Sequence, residues 1–179
     1  MKLPLHRRIA GRARVIAECI GSPADLWLAV RMAAWRLAVP LLKWRLPLPR
    51  LARLMWTSSR RAERDRAREQ QIVTLAEALC GPHGGGVLDN CLERSLVSYR
   101  FLSQAGADAE LAFGVARDRD DPVRGHAWVR LDGEPVHDSS VALERFEELG
   151  AFGQRGALSP SRGHSGAPAA TPPLPGRSP

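Results

Sequence analysis

As far as about residue 105 the apolar residues recur at helical spacing, and beyond it they alternate with polar or small ones. The spacing predicts a short helix over 12–20. Asp25 is placed to cap a second helix running from Leu26 toward Val39, which Pro40 should kink or end, because proline lacks an amide hydrogen and crowds the preceding turn. "LLKWRL" continues as another turn, "PLPR" ends it, and Leu51 to Trp56 forms one more short apolar helix. "TSSRRAERDRAREQQIVTLAEALC" reads as a helix capped by Thr57, Ser58 or Ser59. Its first half is charged, and Ile72, Leu75, Ala76 and Leu79 make its second half amphipathic. A further helix opens at Cys91. Asp89 or Asn90 can cap its exposed amides, Leu92, Leu96, Tyr99 and Leu102 or Ser103 follow at helical spacing, and Gly106 is a left-handed stop.

The alternation then predicts strands. "AELAFGVAR" over 109–117 has Ala109, Leu111, Phe113 and Val115 on one face. "GHAWVRL" puts His126, Trp128 and Arg130 on one face and Ala127, Val129 and Leu131 on the other, and Asp132-Gly133 is a hairpin signal leading into a returning strand, "EPVHDSS". "VALERFEEL" reads as a short helix edging the sheet. From Gly153 onward the residues are Gly, Pro, Ser and Ala, a composition that predicts a disordered tail. The expected class is α+β, divided into a helical basic extension (1–56), a core (57–152) and the tail (153–179).

Charge sharpens this division. The chain of 179 residues has 26 Lys and Arg against 19 Asp and Glu, a net +7, and most of the excess lies before residue 67. A basic balance fits an anionic partner. Nucleic acid is a poor fit, because few aromatics follow residue 57 and no nucleic-acid motif is present. Trp27, Trp35, Trp44 and Trp56 fall in the basic helical region. They suit a layer packed on the core with arginines snorkelling at its rim, but basic residues interleaved with tryptophans also suit peripheral contact with an anionic bilayer, or a peptide groove. Arg31, Arg36, Lys43 and Arg45 cut the most apolar stretch into runs far shorter than a membrane span, and Arg12, Arg14 and Glu18 interrupt what would be the apolar region of a signal peptide. The three cysteines are irregularly spaced with no CxxC, so neither a disulfide framework nor a metal site is expected, and the usage fits a reducing cytoplasm. No nucleotide motif or other cofactor signature is present. "CGPHGGGVLDN" lacks the GxxxxGK[ST] pattern of a phosphate loop and instead lets backbone approach the cysteine closely.

The candidate chemistry centres on Cys91. Unpaired N–H dipoles at a helix N-terminus favour thiolate over thiol, the first requirement of a nucleophile. His126 and Asp138 follow on neighbouring strands. They supply a base that takes the thiol proton and a carboxylate that orients the imidazole. A strict two-residue turn at Asp132-Gly133, however, pairs Ala127 with Asp138 and so puts Asp138 on the face opposite His126. Closure of the three residues then calls for an odd loop or a bulge, with Pro135 a natural place for one. His137 and Asp132 are the rival partners if it fails. The amide of Cys91 is one candidate oxyanion donor, with Gln70 or Gln71 as a second.

"NCLERSLVSYRFLSQAGADAELAFGVARDRDDPVRGHAWVRLDGEPVHDS" closely resembles the transglutaminase-like domain of lasso-peptide B proteins, the maturation proteases related to the microcin J25-processing protein. The matching features are "CLERSL" opening a helix, "QAG" ending it before an apolar strand with "GV", "HAWV", and a carboxylate after the hairpin. Together they cover about residues 72–140. The apolar, arginine-dotted segment before them looks like that family's N-terminal extension. The resemblance implies a papain/transglutaminase-type core, with a nucleophile helix on a small antiparallel sheet. It implies a cysteine endopeptidase with Cys91 as nucleophile, His126 as base and Asp138 as orienting carboxylate. The implied substrate is a ribosomally made precursor peptide cut between leader and core. The implied partners are that precursor, a leader-recognition protein and an ATP-using macrolactam cyclase. Residues 1–70 show no strand alternation, so the chain looks like the split form that uses a separate recognition subunit. Two alternatives stand beside this: a peptide-binding scaffold with little activity alone, and a transglutaminase-like amidase or acyltransferase on another substrate.

Overall fold

The computed structural model describes residues 5–57, 64–81, 91–116 and 124–160. Three helices come first: α1 (Leu5–Glu18), α2 (Pro23–Arg45) and α3 (Leu48–Met55). Ser22, not Asp25, caps α2. Its hydroxyl accepts from the Asp25 amide at 3.2 Å, and Pro23 occupies the first turn, where its missing N–H costs nothing. The helix continues through Pro40 to Arg45 instead of stopping there. Burial of Met32 and Val39 beneath it offsets the lost backbone bond. α4 (Arg66–Cys80) begins later than its charge pattern suggests, at an Asp65 cap whose carboxylate accepts from the Arg68 amide. The expected caps Ser58 and Ser59, like Asp89 and Asn90 ahead of α5 (Cys91–Gln104), lie outside the described residues.

α5 is the central helix. Leu96, Val97, Tyr99, Phe101 and Leu102 are all buried, in one cluster with Leu28, Met32 and Val39 of α2, Leu51 and Met55 of α3, Ile72 and Leu75 of α4, and Leu111 and Val129 of the sheet. Two ion pairs to the buried Glu93 tie α2 to this helix: its carboxylate accepts from Lys43 at 2.8 Å and from Arg36. Gly106 has φ 89°, as a left-handed helix stop requires.

The sheet is antiparallel, with strands β1 (Ala109–Ala116), β2 (Arg124–Leu131), β3 (Glu134–Pro135), β4 (Glu147–Phe152) and β5 (Leu158–Pro160) in the order β3-β2-β1-β4-β5. Two expectations are corrected here. The helix read over "VALERFEEL" is only α6 (Ser140–Leu143), and the rest of that stretch becomes β4. The tail expected from Gly153 instead turns through residues 154–156 and pairs as β5 against β4. Pairing with β1 sets the β4 conformation, and its register shifts between Phe113 and Gly114. A Cβ at Gly114 would lie 2.5 Å from the Glu147 carbonyl oxygen, so only glycine permits this approach. One sheet face packs on α5. The other carries a small cluster of Ala112, Trp128 and Ala151, with Leu143 and Phe146 against it.

Candidate active site

Cys91 occupies the first position of α5 and is 8 % exposed. Its place at the helix start leaves the first amides of α5 without carbonyl partners inside the helix. Seven residues further on, the same helix is sealed in the core.

The turn at Asp132-Gly133 is a strict two-residue hairpin. Leu131 pairs with Glu134 and Arg130 with Pro135, and both turn residues have positive φ, 55° and 91°. Neither an odd loop nor a bulge brings Asp138 round to His126. The ladder simply ends: after the Val136 amide bonds the Val129 carbonyl at 3.1 Å, the backbone bends through residues 136–138. In a continued ladder Ala127 would face Asp138. Here the Ser95 hydroxyl of α5 takes over the Ala127 carbonyl at 2.9 Å, so the edge of β2 stays satisfied while Asp138 swings across it.

The result is a convergence of the three residues. Asp138 Oδ2 lies 3.5 Å from His126 Nε2, and the imidazole is also a hydrogen-bond partner of the Cys91 side chain. The ring lies against Phe146, centroids 4.7 Å apart, and against Trp128 at 5.9 Å. Burial pulls the His126 pKa down, but hydrogen bonds to Asp138 and Cys91 and their negative charge outweigh it and push it up to about 9. The imidazolium is therefore the dominant form at neutral pH.

Arg94 completes the group. Its Nη2 donates to both oxygens of Asp138, at 3.0 and 3.3 Å, and the residue is 3 % exposed. It sits one turn after Cys91, so both project from the same side of α5. Sequence reading missed this residue, although a cation three positions after the nucleophile was a signal for a carboxylate partner. It also missed Phe146, which it had placed in a helix.

The rivals for Asp138 are engaged elsewhere. Asp132 accepts from Arg64 at 2.7 Å, an arginine that also holds Glu69 on α4. His137 points the other way: its Nε2 meets Ser98 Oγ at 2.7 Å and its Nδ1 lies 3.4 Å from Glu77. Gln71 is committed to the Cys19 carbonyl at 2.6 Å and accepts from Arg68, and Gln70 is exposed, so the structure does not bring either to Cys91. Burial pushes the Cys80 thiol up to about 11, and burial with the nearby Glu18 and Asp25 charges raises that of Cys19. Among the described residues no cluster of His, Cys, Asp and Glu is arranged to hold a metal ion.

A cysteine at a helix start, an imidazole on an antiparallel strand and a carboxylate beyond it define a papain/transglutaminase-like α+β arrangement. The family profile of the transglutaminase-like superfamily matches residues 29–151, and the chain belongs to that superfamily. The matched region begins within α2, so it takes in helices that the composition assigns to a separate extension. No curated protein and no solved structure matches the chain.

Proposed function

We propose that this chain is a cysteine endopeptidase that removes the leader from a lasso-peptide precursor, with Cys91 as nucleophile, His126 as acid and base, and Asp138 as the carboxylate that orients the ring. The observation that carries the reading is the meeting of these three side chains at the start of α5. The "CLERSL" and "HAWV" likeness supports the substrate class.

The Cys91 sulfur attacks the scissile carbonyl and a C–S bond forms. His126, protonated at the start, gives its proton to the departing amine as the C–N bond breaks, which leaves a thioester and a neutral imidazole. Water then loses a proton to His126 and attacks the thioester. The leader leaves as a carboxylic acid, and the attacking sulfur and the protonated His126 are restored. Asp138 stabilises the imidazolium, and Arg94 holds Asp138 in place. Residues 5–57 fold as three helices among the described residues, with no strand. The lasso-peptide B likeness supports a leader-recognition protein and an ATP-using macrolactam cyclase as partners.

Incubation of the purified chain with precursor and recognition protein, read by mass spectrometry, tests this. The expected result is a single cut between leader and core with the wild type, and none with Cys91→Ala, which still binds the precursor complex. An intact precursor with the wild type, or cleavage by Cys91→Ala, contradicts the reading.

A further inference from the structure

α2 is apolar on two sides, yet the fold covers only one of them. Leu28, Met32 and Val39 face the core. On the outer side Trp27, Val30, Ala34, Leu37, Leu41 and Trp44 are all exposed and are spaced alternately three and four residues apart, so they form one continuous stripe. Leu37, Leu41 and Trp44 are 75 %, 73 % and 86 % exposed, far beyond the single apolar residues that any surface carries. Trp27 and Trp44 close the two ends, about 25 Å apart along the axis.

Charge selects the occupant. Between Leu26 and Ala62 the sequence holds eight Lys and Arg and no Asp or Glu. Arg36 and Lys43 are paired with Glu93, whereas Arg45, Arg50 and Arg53 are exposed beyond the most exposed end of the stripe. A second copy of the same surface would bring cation against cation. The segment from Ser161 onward has Leu174 as its sole large apolar residue and cannot cover six positions. Leu37, Leu41 and Trp44, this exposed, form a ridge, not a groove. A ridge suits a fluid surface that deforms around it, with tryptophans at the headgroup level and arginines on anionic headgroups.

We infer that the outer face of α2 seats the protein on the surface of an anionic lipid bilayer, lying along the interface without crossing it. No described helix is long and apolar enough to cross a membrane, which agrees with a surface mode. The inference is independent of the chemistry at Cys91.

Vesicle cosedimentation with tryptophan fluorescence tests it on the full chain. Phosphatidylglycerol-containing vesicles should bind at least about tenfold more tightly than phosphatidylcholine alone, with a blue-shifted emission and a loss of binding in high salt. The triple variant Leu37→Ser, Leu41→Ser, Trp44→Ser should lose most of this binding while its thermal unfolding stays at the wild-type temperature. Arg45→Gln and Arg50→Gln, which leave the stripe intact, should each weaken binding about fivefold. Wild-type protein that stays in solution with anionic vesicles overturns the inference, as does a triple variant that binds like the wild type. A wild-type dimer that the triple variant converts to monomer also overturns it, because a second copy would then be the occupant.

Discussion

α5 carries two polar clusters of similar side-chain chemistry, roughly 10 Å apart along its axis. At its start Cys91 meets His126 and Asp138. Two turns later Ser98 meets His137, which reaches Glu77. Each has a nucleophilic atom, an imidazole and a carboxylate, and the two histidines come from neighbouring segments of one hairpin. Their surroundings separate them. Ser98 and the His137 side chain are fully buried in mid-helix, where every amide is spent on a backbone carbonyl. Cys91 sits where the helix begins, and the first amides of a helix have no carbonyl partner within it, which suits a developing oxyanion. The inner cluster fastens the segment that carries Asp138 onto α5 and α4; the outer one uses that fixed position. A nucleophilic atom, an imidazole and a carboxylate brought together therefore do not by themselves mark a site, and position on the helix does.

The largest effect that tests this contrast is at the nucleophiles. Cys91→Ala should lower precursor cleavage by at least about 10⁴-fold without unfolding the protein. Asp138→Asn should lower it by about 10²- to 10⁴-fold, and the His126 ring, followed by NMR, should then titrate well below its wild-type value. The sign of the pH dependence follows from the raised His126 pKa. The ring must be protonated to deliver a proton to the leaving amine, and it loses that proton as pH rises through about 9, so the cleavage rate should fall on the alkaline side there. Arg94→Lys keeps the charge but replaces the Nη2 that donates to both Asp138 oxygens with an ammonium on a differently shaped stem, for an expected loss of about tenfold in rate. Ser98→Ala should leave turnover within about threefold of wild type. Its cost is stability, about 1–3 kcal/mol in chemical denaturation, because His137 loses a buried partner. A Ser98→Ala variant that abolished cleavage and kept its stability would erase the distinction between the clusters.

Much of this was legible in the residues. The apolar spacing of α5, the alternation of β1 and β2, and the Asp132-Gly133 turn each rest on local chemistry, and each stands where it was expected. What was not legible depends on partners distant in sequence. "EELGAF" has no strong strand preference of its own and becomes β4 because β1 offers an edge, with Gly114 permitting the close approach. Pro40 reads as a helix end, but the core contacts of Met32 and Val39 carry α2 past it. The closure of Asp138 onto His126 was the hardest point. It depends on β3 stopping early and on Ser95 replacing it at the Ala127 carbonyl, and no spacing in the hairpin encodes that. The tryptophans divide. Trp35 and Trp56 pack against the core, as a covering layer requires, while Trp27 and Trp44 face outward.

The protein holds its own internal control for the central claim: three free cysteines in three environments. Site-resolved alkylation by iodoacetamide at neutral pH, read by peptide mass spectrometry, compares them in one reaction. Cys91 should be modified first, Cys19 more slowly and Cys80 last, and His126→Ala should remove the advantage of Cys91. If Cys19 reacts ahead of Cys91 in the wild type, and His126→Ala changes nothing, the thiol is not activated by the imidazole and the proposed nucleophile is wrong.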